Sequence, residues 1–205
     1  MKSDQDQSSS YHHGDLREVL ISKALETIEA RGVEAVSLRA LARDIGVSHA
    51  APMRHFPTRS ALLAAIAQNG ITSLIGAAAR QARSTRLTSR DKLQAMAEGY
   101  VDWAISNPVH HMLIRNQDVM RHADQTLRDD IMAYAHLHEQ TIVLAQQDGW
   151  RSDEVSKSIF LELTALTAGL ALVASDPIYV TVFKGRPRRA AIKSIISKYF
   201  ATGND

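Results

Sequence analysis

The 205-residue chain contains no cysteine. This absence excludes disulfide bonds and thiolate metal sites, and it is compatible with a reducing cytoplasm. The first ten residues, MKSDQDQSSS, lack the apolar stretch that a signal peptide needs, so we expect no export by that route. The longest apolar run, residues 159–174, includes Glu162. It is too short and too polar for a membrane span, and we interpret it as a buried helix.

The sequence motifs of common enzyme classes are also missing. The chain has no HExxH zinc motif, no GxSxG nucleophile turn, no P-loop and no GxGxxG dinucleotide motif. Five histidines cluster in its middle: His110, His111, His122, His136 and His138. None lies four residues from another, so no helical pair presents two imidazoles to one metal. We expect no enzyme activity, no metal and no cofactor, and the alternative is a histidine-rich helical metalloenzyme with ligands brought together by folding.

The excess of positive over negative charge is small, because 24 lysines and arginines face 22 acids and the formal net charge is only +2. That value is too small to indicate nucleic-acid binding by itself. Residues 37–60, however, contain one acid, Asp44, and four arginines: Arg39, Arg43, Arg54 and Arg59. A solvated basic face explains such a cluster when it stands alone. The same cluster on a DNA-reading element supplies the phosphate contacts that such an element needs.

Residues 37–56, SLRALARDIGVSHAAPMRHF, have the spacing of two short helices joined by a tight turn. The apolar residues of the first helix recur on one helical face: Leu38, Leu41, Ala42 and Ile45. Ser37 is suited to cap the start of this helix, and Gly46 is suited to end it in a left-handed conformation. Ser48 is predicted to cap a second helix over residues 49–55. The pattern is typical of a DNA-binding helix-turn-helix.

From residue 11 to about residue 71 the chain resembles the tetracycline-repressor (TetR) family of bacterial transcriptional regulators. Three blocks keep the family's order and spacing: YHHGDLREVLISKALETIEARG at 11–32, the helix-turn-helix at 37–56, and FPTRSALLAAI at 56–66. The resemblance implies an all-α fold. In that fold a three-helix head is joined by a long helix to a helical body that binds a ligand and dimerises.

The second helix of the pair is the predicted recognition helix. Its first turns carry the residues expected to face base edges in the major groove: His49, Ala50, Ala51 and Met53. Small alanines leave room for thymine methyl groups. We expect these residues to specify the DNA sequence, and we expect Phe56 to pack inside the head against Leu41 and Leu62.

Other polar residues of the head are placed to contact phosphates. They are Ser37, Arg39, Ser48, Arg54, His55 and Arg59. A structural role for a partly buried His55 is the alternative. The chain departs from the family pattern at two positions, with Met53 in place of a tyrosine and Arg59 in place of a lysine. Arginine keeps the cation and adds a planar fork of donors.

Helix-breaking residues and the helical spacing of apolar residues predict helices along the whole chain. We expect them at about 15–31, 38–45, 49–55, 58–83, 91–106, 109–117, 125–147, 152–174 and 187–200. Asp15 and Glu18 have capping-box spacing at the start of the first helix. Residues 175–186 are rich in β-branched and aromatic side chains, and since no other strand is predicted we interpret them as a loop.

The body is expected to hold a small-molecule cavity between its helices, because the family resemblance implies a sensor. The candidates for effector binding are Met96, Tyr100, Trp103, His111, Met112 and Arg115. An apolar and aromatic stripe at helical spacing is also what an ordinary core requires. Arg115 in the run MLIRNQ hints at an anionic ligand, although pairing with Asp118 or Glu139 would give the same pattern.

A regulator that reads two half-sites needs two-fold symmetry, and the last two long helices are the expected interface. Its candidates are Phe160, Leu163, Leu166, Leu170, Ile195, Ile196 and Tyr199. Apolar residues lie nearly all around residues 159–174, which exceeds what the core of one monomer needs.

The sequence therefore predicts a cytoplasmic, all-α, homodimeric transcriptional regulator that binds double-stranded operator DNA, most simply a repressor released by a small-molecule effector. Residues 1–10 are predicted to form a disordered arm, residues 11–57 the head, and residues 58–205 the effector-binding and dimerisation body. A DNA-binding protein whose body recruits a protein partner is the alternative.

Overall fold

The computed structural model describes residues 13–182 and 188–201. The described chain contains helices and turns and no strand, so the all-α prediction is confirmed. The helices are α1 (His13–Arg31), α2 (Leu38–Ile45), α3 (Ala51–His55), α4 (Arg59–Ala82), α5 (Ser89–Ser106), α6 (Pro108–Ile114), α7 (Gln117–Arg121), α8 (Gln125–Gln147), α9 (Ser156–Ser175), α10 (Pro177–Val182) and α11 (Arg188–Ala201). A 3-10 turn, Val33–Ala35, follows α1. The predicted arm, residues 1–10, and the side chain of Asp15 lie outside the described residues.

Side-chain caps explain where several of these helices begin. The hydroxyls of Thr58 and Thr88 accept hydrogen bonds from backbone N–H groups three residues later, at 3.0 Å and 3.1 Å. The carboxylate of Asp124 accepts one from Leu127 N–H at 2.9 Å. Each bond satisfies a donor that has no partner inside the helix. The predicted bounds of α4, α5 and α8 therefore agree with the structure to within about two residues.

The segment predicted as one helix over residues 109–117 is instead two helices. Helix α6 ends at Ile114, and the side-chain oxygen of Asn116 accepts hydrogen bonds from the backbone N–H groups of Asp118 and Val119, at 2.9 Å and 3.1 Å. An asparagine at this position starts a new helix, because its oxygen satisfies the first free donors of α7. The predicted single helix was wrong for this reason.

Helix α9 begins at Ser156, four residues later than predicted. Arg151 has a left-handed backbone (φ 51°), which is typical of a turn and not of a helix. The Gln146 amide donates to the carbonyls of Arg151 and Glu154, at 2.9 Å and 2.7 Å, and so holds residues 151–154 as a turn. Asp153 and Glu154, predicted to lie in the first turn of a helix that starts at residue 152, therefore lie in this turn before the helix.

The segment predicted as a loop over residues 175–186 contains helix α10. The Asp176 carboxylate accepts a hydrogen bond from Ile178 N–H at 2.7 Å, and Pro177 occupies the first helical position. Both features favour a helix start and outweigh the low helix propensity of the β-branched residues that follow. Residues 183–187 of the segment lie outside the described residues.

Two buried apolar clusters hold the described residues together. The first extends from α1, α2 and Phe56 through α4 to Trp103, α6, α7 and Leu127. The second joins α5, α8, α9 and α11 around Trp150 and Phe200, whose rings stack with centroids 5.2 Å apart. Because α4 runs through the first cluster from end to end, the helix-turn-helix shares one continuous core with the helices behind it.

Helices α4 and α9 are long and apolar enough to cross a membrane by length and composition alone. Half of the most apolar window of α4 and 28% of that of α9 are buried inside the chain. The buried helix predicted at 159–174 is therefore buried on one side only. Its other side carries an apolar stripe at helical spacing, in which Leu161, Ala165 and Leu172 are exposed and Ala168 is half-buried.

Candidate nucleic-acid interface and internal cavity

Helices α2 and α3 form the predicted helix-turn-helix. The Ser37 hydroxyl accepts a hydrogen bond from Ala40 N–H at 3.5 Å, and Gly46 has the left-handed backbone (φ 77°) that ends α2. Val47 N–H then donates to the Ala42 carbonyl at 3.0 Å, which closes the turn. This is the Schellman arrangement that the glycine predicts, so local sequence alone determines the first half of the motif.

The recognition helix α3 is shorter than predicted. It begins at Ala51, and Ala50, at the cap position, makes no side-chain hydrogen bond. The predicted Ser48 side-chain cap does not form, and the Ser48 backbone carbonyl accepts from Ala51 N–H at 3.0 Å. Pro52 has no N–H and is tolerated only in the first helical turn, so the helix begins one residue before it. His49 and Ala50 therefore lie in the turn that leads into α3.

Phe56 holds this pair of helices against α4. It is 3% exposed and belongs to the same buried cluster as Leu41 and Leu62, as predicted. The Arg17 guanidinium lies over its ring, 5.4 Å from the centroid. The packing fixes the direction of α3 relative to α1 and α4.

Most of the proposed DNA-contacting residues share one property, which is exposure to solvent. The exposed ones are Ser37, Arg39, Ser48, His49, Ala50, Met53 and Arg54, and the half-buried ones are Ala51, His55 and Arg59. Met53 is 59% exposed, which is high for a large apolar side chain. Within the described residues neither Arg39 nor Arg54 forms an ion pair, whereas Arg43 is paired with Asp44 at 3.5 Å. Arg39 and Arg54 thus have charges available to phosphates.

Arg59 is bound inside the head. Its guanidinium donates to the backbone carbonyls of Val33 and Val36, at 2.6 Å and 3.1 Å, and also to the Glu34 carboxylate at 3.3 Å. It therefore ties the start of α4 to the 3-10 turn after α1. Its proposed phosphate contact requires sharing these donors, so Arg59 orients the head in addition to any role on DNA.

A cavity of about 220 Å³ lies between helices α4, α5, α8 and α9, with the end of α6 at its rim. It is lined by Ile71, Leu74, Leu93, Ala97, Tyr100, Ile114, Arg115, Ile131, Tyr134, Ala135, His138, Phe160, Leu163, Thr164 and Thr167. Two of the predicted effector residues, Tyr100 and Arg115, are among them.

The other predicted effector residues surround the cavity without lining it. His111 lies behind Tyr100, with its Nε2 atom 3.0 Å from the Tyr100 hydroxyl. Met96 and Trp103 are 2% and 7% exposed and belong to the core, and Met112 is 39% exposed at the surface. We therefore centre the proposed effector site on Tyr100 and Arg115, with His111 as the residue that positions the Tyr100 hydroxyl.

Burial sets the protonation of the polar groups around the cavity. It raises the pKa of Tyr100, and the nearby Arg115 cation opposes this effect. Burial lowers the pKa of His111, and Arg115 lowers it further. Burial also raises the pKa of Tyr134 and lowers that of His138. These four side chains are therefore neutral near pH 7.

The contribution of helix α8 to the cavity was missed in the sequence. Tyr134 and His138 line the cavity and pack against each other, with ring centroids 4.5 Å apart. Their spacing of four residues places them on one face of α8, which is a signal available in the sequence. That spacing does not indicate which helix the face packs against, so it would not have located the cavity.

The predicted dimer-interface residues fall into two groups. Leu163 and Ile196 are 5% and 0% exposed and pack inside the second cluster. Leu166 and Leu170 are half-buried, and Ile195 is 45% exposed. Phe160 is half-buried and lines the cavity.

Tyr199 is bound within the chain. Its hydroxyl accepts from Arg151 at 2.6 Å and donates to Glu162 at 3.0 Å, and burial raises its pKa to about 12. We therefore retain Leu166, Leu170 and Ile195 in the proposed interface and add the exposed α9 stripe.

The histidine cluster does not come together in the described part of the chain. His111 and His138 are near the cavity, whereas His110 faces α4 at Gly70 and His122 and His136 are exposed. No group of three histidine, aspartate or glutamate side chains among the described residues is arranged to hold a metal ion.

Known proteins similar to this chain agree with these features. Residues 20–66 match the family model of bacterial regulatory proteins, tetR family. An uncharacterized HTH-type transcriptional regulator of Bacillus subtilis (strain 168), YobS, is 23% identical over 78% of this chain and 94% of that protein.

Two solved structures share the fold over nearly the full length. A protein with unknown function from Rhodococcus sp. RHA1 is 29% identical, with a TM-score of 0.79, covering 97% of this chain and 100% of that chain. A bacterial regulatory protein in the tetR family from Rhodococcus RHA1 is 18% identical, with a TM-score of 0.70, covering 91% and 96%. The helix-turn-helix region of this chain, residues 20–66, therefore matches the tetR family, and we conclude that the chain is a DNA-binding transcriptional regulator of this type.

Proposed function

We propose that the protein is a cytoplasmic homodimeric repressor that leaves its operator when a small-molecule effector enters the cavity. The observation that carries this proposal is the course of helix α4. Its first residue, Arg59, is hydrogen-bonded to the head, and Ile71 and Leu74, further along the same helix, line the cavity. A ligand that displaces the middle of α4 therefore acts on the head through one rigid element.

Helix α6 supports the same coupling. Ile114, at its end, lines the cavity, and His111 is bonded to the cavity residue Tyr100. The neighbouring residue, His110, packs closely on α4. A Cβ atom added at Gly70 would lie 2.7 Å from the Cβ atom of His110. A shift of α6 cannot be absorbed at this contact and must be passed to α4.

We propose that residues 11–57 act as the DNA-binding head and residues 58–205 as the effector-binding and dimerisation body. The α9 stripe and Ile195 supply an apolar surface that a second copy can cover. In a two-fold dimer, the two α3 helices enter major grooves about 34–36 Å apart, and a ligand that changes their separation opposes binding.

On DNA, we propose that His49, Ala50, Ala51 and Met53 face base edges. Arg39, Arg54, His55 and Arg59, with Ser37 and Ser48, are proposed to contact phosphates. Met53 supplies an apolar contact for a thymine methyl group, and the exposed Arg39 and Arg54 supply charge.

The test begins with an operator selected from fragmented genomic DNA by the purified protein. Arg54→Ala should weaken binding to the operator and to a scrambled sequence by similar factors, because phosphates are common to both. His49→Ala should lose about 1–3 kcal/mol on the operator alone. Arg121→Ala, which removes an exposed arginine from α7, is the control and should change neither affinity. Equal losses on both DNAs for His49→Ala and Arg54→Ala would contradict the assignment of base-reading and phosphate-binding roles.

A further inference from the structure

The walls of the cavity are almost entirely apolar. Six large aliphatic or aromatic side chains form most of the surface: Ile71, Leu74, Leu93, Ile131, Phe160 and Leu163. Thr164 and Thr167 add hydroxyls, but each donates its proton to a backbone carbonyl one turn earlier, at 2.8 Å. The occupant must therefore bury a mostly hydrocarbon surface, because few polar groups inside the cavity can replace its water.

Arg115 is the exception to this apolar lining. It is an exposed residue that also lines the cavity, so its guanidinium lies at the rim. No carboxylate of the described residues is within ion-pair distance of it, since Asp118 pairs with Arg121 and Glu139 lies 3.8 Å from His136. Neither acid therefore forms an ion pair with Arg115. The cavity rim carries an unpaired positive charge.

No second charge is available inside. The Nδ1 atom of His138 lies 3.0 Å from the backbone carbonyl of Tyr134, and since a carbonyl only accepts, Nδ1 carries the proton. In the neutral ring Nε2 is then an acceptor, and no described residue hydrogen-bonds to it. Tyr100, His111 and Tyr134 are neutral as well. Among the lining residues Arg115 is the only fixed charge, which favours an occupant with a single negative charge.

The size of the cavity limits the occupant further. At about 220 Å³ it is smaller than the roughly 300–1,000 Å³ pockets that hold drug-sized ligands, so its occupant is small. We propose that the cavity binds a small, mainly hydrocarbon monocarboxylate, with the carboxylate on Arg115 at the rim and the hydrocarbon between α4, α5, α8 and α9. This inference rests on the proposed function, because it names the chemical class of the effector.

The test compares acids with uncharged amides of the same shape. Octanoate and 3-phenylpropanoate are titrated into the full-length protein beside octanamide and 3-phenylpropanamide. Binding is followed by calorimetry and by the fluorescence of Trp103, whose ring centroid lies 6.4 Å from that of Tyr100. In the wild type at least one acid should bind about 10- to 100-fold more tightly than its amide, as expected for a hydrogen-bonded charge.

Substitution of the rim arginine separates the charge from the apolar cavity. Arg115→Met, at an exposed position, should reduce the affinity for the acid to that for the amide and leave the amide unchanged. Arg121→Met is the matched control and should keep the preference for the acid. Ala135→Leu places a larger side chain in the cavity and should weaken acid and amide together. Equal binding of acid and amide by the wild type, a preference that survives Arg115→Met, or no binding of any probe would each overturn the proposal.

The same probes distinguish the ligand class from the effector role. If octanoate binds through Arg115 but does not change operator affinity, the ligand class stands and the proposed sensing function is wrong. If a neutral compound releases the operator and Arg115→Met leaves that release intact, the sensing function stands and the monocarboxylate is wrong. By linkage, an effector that weakens operator binding by a given factor must bind more weakly to the protein–DNA complex by the same factor.

Discussion

Met53 and Phe56 are large apolar side chains three positions apart, yet their surroundings are opposite. Met53 is 59% exposed on α3, whereas Phe56 is 3% exposed beneath it. The exposed Met53 side chain on the proposed recognition helix adds nothing to the core, whereas the buried Phe56 ring holds α2, α3 and α4 together. We therefore expect Met53 to contribute to DNA recognition and Phe56 to contribute to the stability of the fold.

Phe56→Ala should therefore destabilise the protein by about 3–5 kcal/mol, because it leaves a cavity in the first cluster. This corresponds to a fall in Tm of roughly 6–20 °C for a chain of this size. Met53→Ala should stay within about 0.5 kcal/mol of the wild type and weaken operator binding. Thermal unfolding and operator titration of both variants check the pair. Equal loss of stability in the two variants would show that Met53 packs in the core.

The residue-level predictions from sequence differ in quality for a physical reason. Phe56 follows an amphipathic helix and precedes another, so local spacing indicated its burial. Tyr100 and Arg115 were predicted for the cavity, but Met96 and Trp103 lie on the same helical face as Tyr100 and belong to the core. Helical spacing defines a face, and only the packing of other helices determines which part of that face is filled.

At the scale of elements, the contact between α4 and α6 depends on a missing side chain. Gly70 allows the Cβ atom of His110 to approach, and an alanine there would place two Cβ atoms 2.7 Å apart. Gly76, two turns further along the same helix, has only the Arg80 side chain nearby, at 3.7 Å. The same substitution thus meets a tight interface at Gly70 and only an ordinary van der Waals contact at Gly76.

Gly70→Ala should cost about 1–3 kcal/mol, because it overpacks the interface between α4 and α6. Gly76→Ala should stabilise the protein by about 0.5–1 kcal/mol, because alanine loses less backbone freedom on folding than glycine. Chemical denaturation of the two variants measures both signs. A stabilising Gly70→Ala would mean that α6 is free to move away from α4, and the proposed coupling through this contact would then fail.

Element boundaries were predictable where the determinants are local. Ser37 and Gly46 set the limits of α2 through their own backbone neighbours, and Thr58 does the same for α4. The start of α9 was not predictable, because Arg151 is held by contacts to Glu162, 11 residues away, and to Tyr199, 48 residues away. Contacts at such separations exist only after the helices have packed, so a sequence pattern does not contain them.

At the scale of the whole molecule, one side of α9 presents an apolar surface to solvent. Leu161 and Leu172 are 68% and 67% exposed, and they lie three turns apart on the stripe that also contains Ala165 and Ala168. An exposed apolar stripe of this length is typical of a surface that another molecule covers. We propose a second copy of the chain as the occupant, because a two-fold dimer presents two recognition helices to two half-sites.

Leu161→Arg should therefore convert the protein to monomers or aggregates, since the buried unpaired charge costs several kcal/mol in the dimer. Operator binding should be lost with the dimer. Met132→Arg, which also adds a charge at an exposed apolar residue of another helix, should remain dimeric. Light scattering of both variants at equal concentration decides the outcome. A dimeric Leu161→Arg that still binds the operator would place the interface elsewhere.

Stability as a function of pH reports on the histidines buried around α6 and the cavity. Burial lowers the pKa of His110, His111 and His138, with Glu29 opposing the effect at His110 and Arg115 adding to it at His111. In the unfolded chain the pKa of each returns to about 6.5. Below that pH the unfolded state binds more protons than the folded state, so the free energy of unfolding falls as the solution is acidified.

We therefore expect Tm to be nearly constant above about pH 7.5 and to decrease from there to about pH 5.5, a range in which unperturbed carboxylates remain ionised. His111→Gln should reduce the slope by up to about 1.4 kcal/mol per pH unit, the limit for one proton. His136→Gln is the matched control, because its side chain is 67% exposed. Thermal unfolding of the three proteins across this range measures the slopes. If Tm rises on acidification, or if the two variants change the slope equally, the histidines around α6 are charged in the native state and the neutral cavity inferred from their burial is wrong.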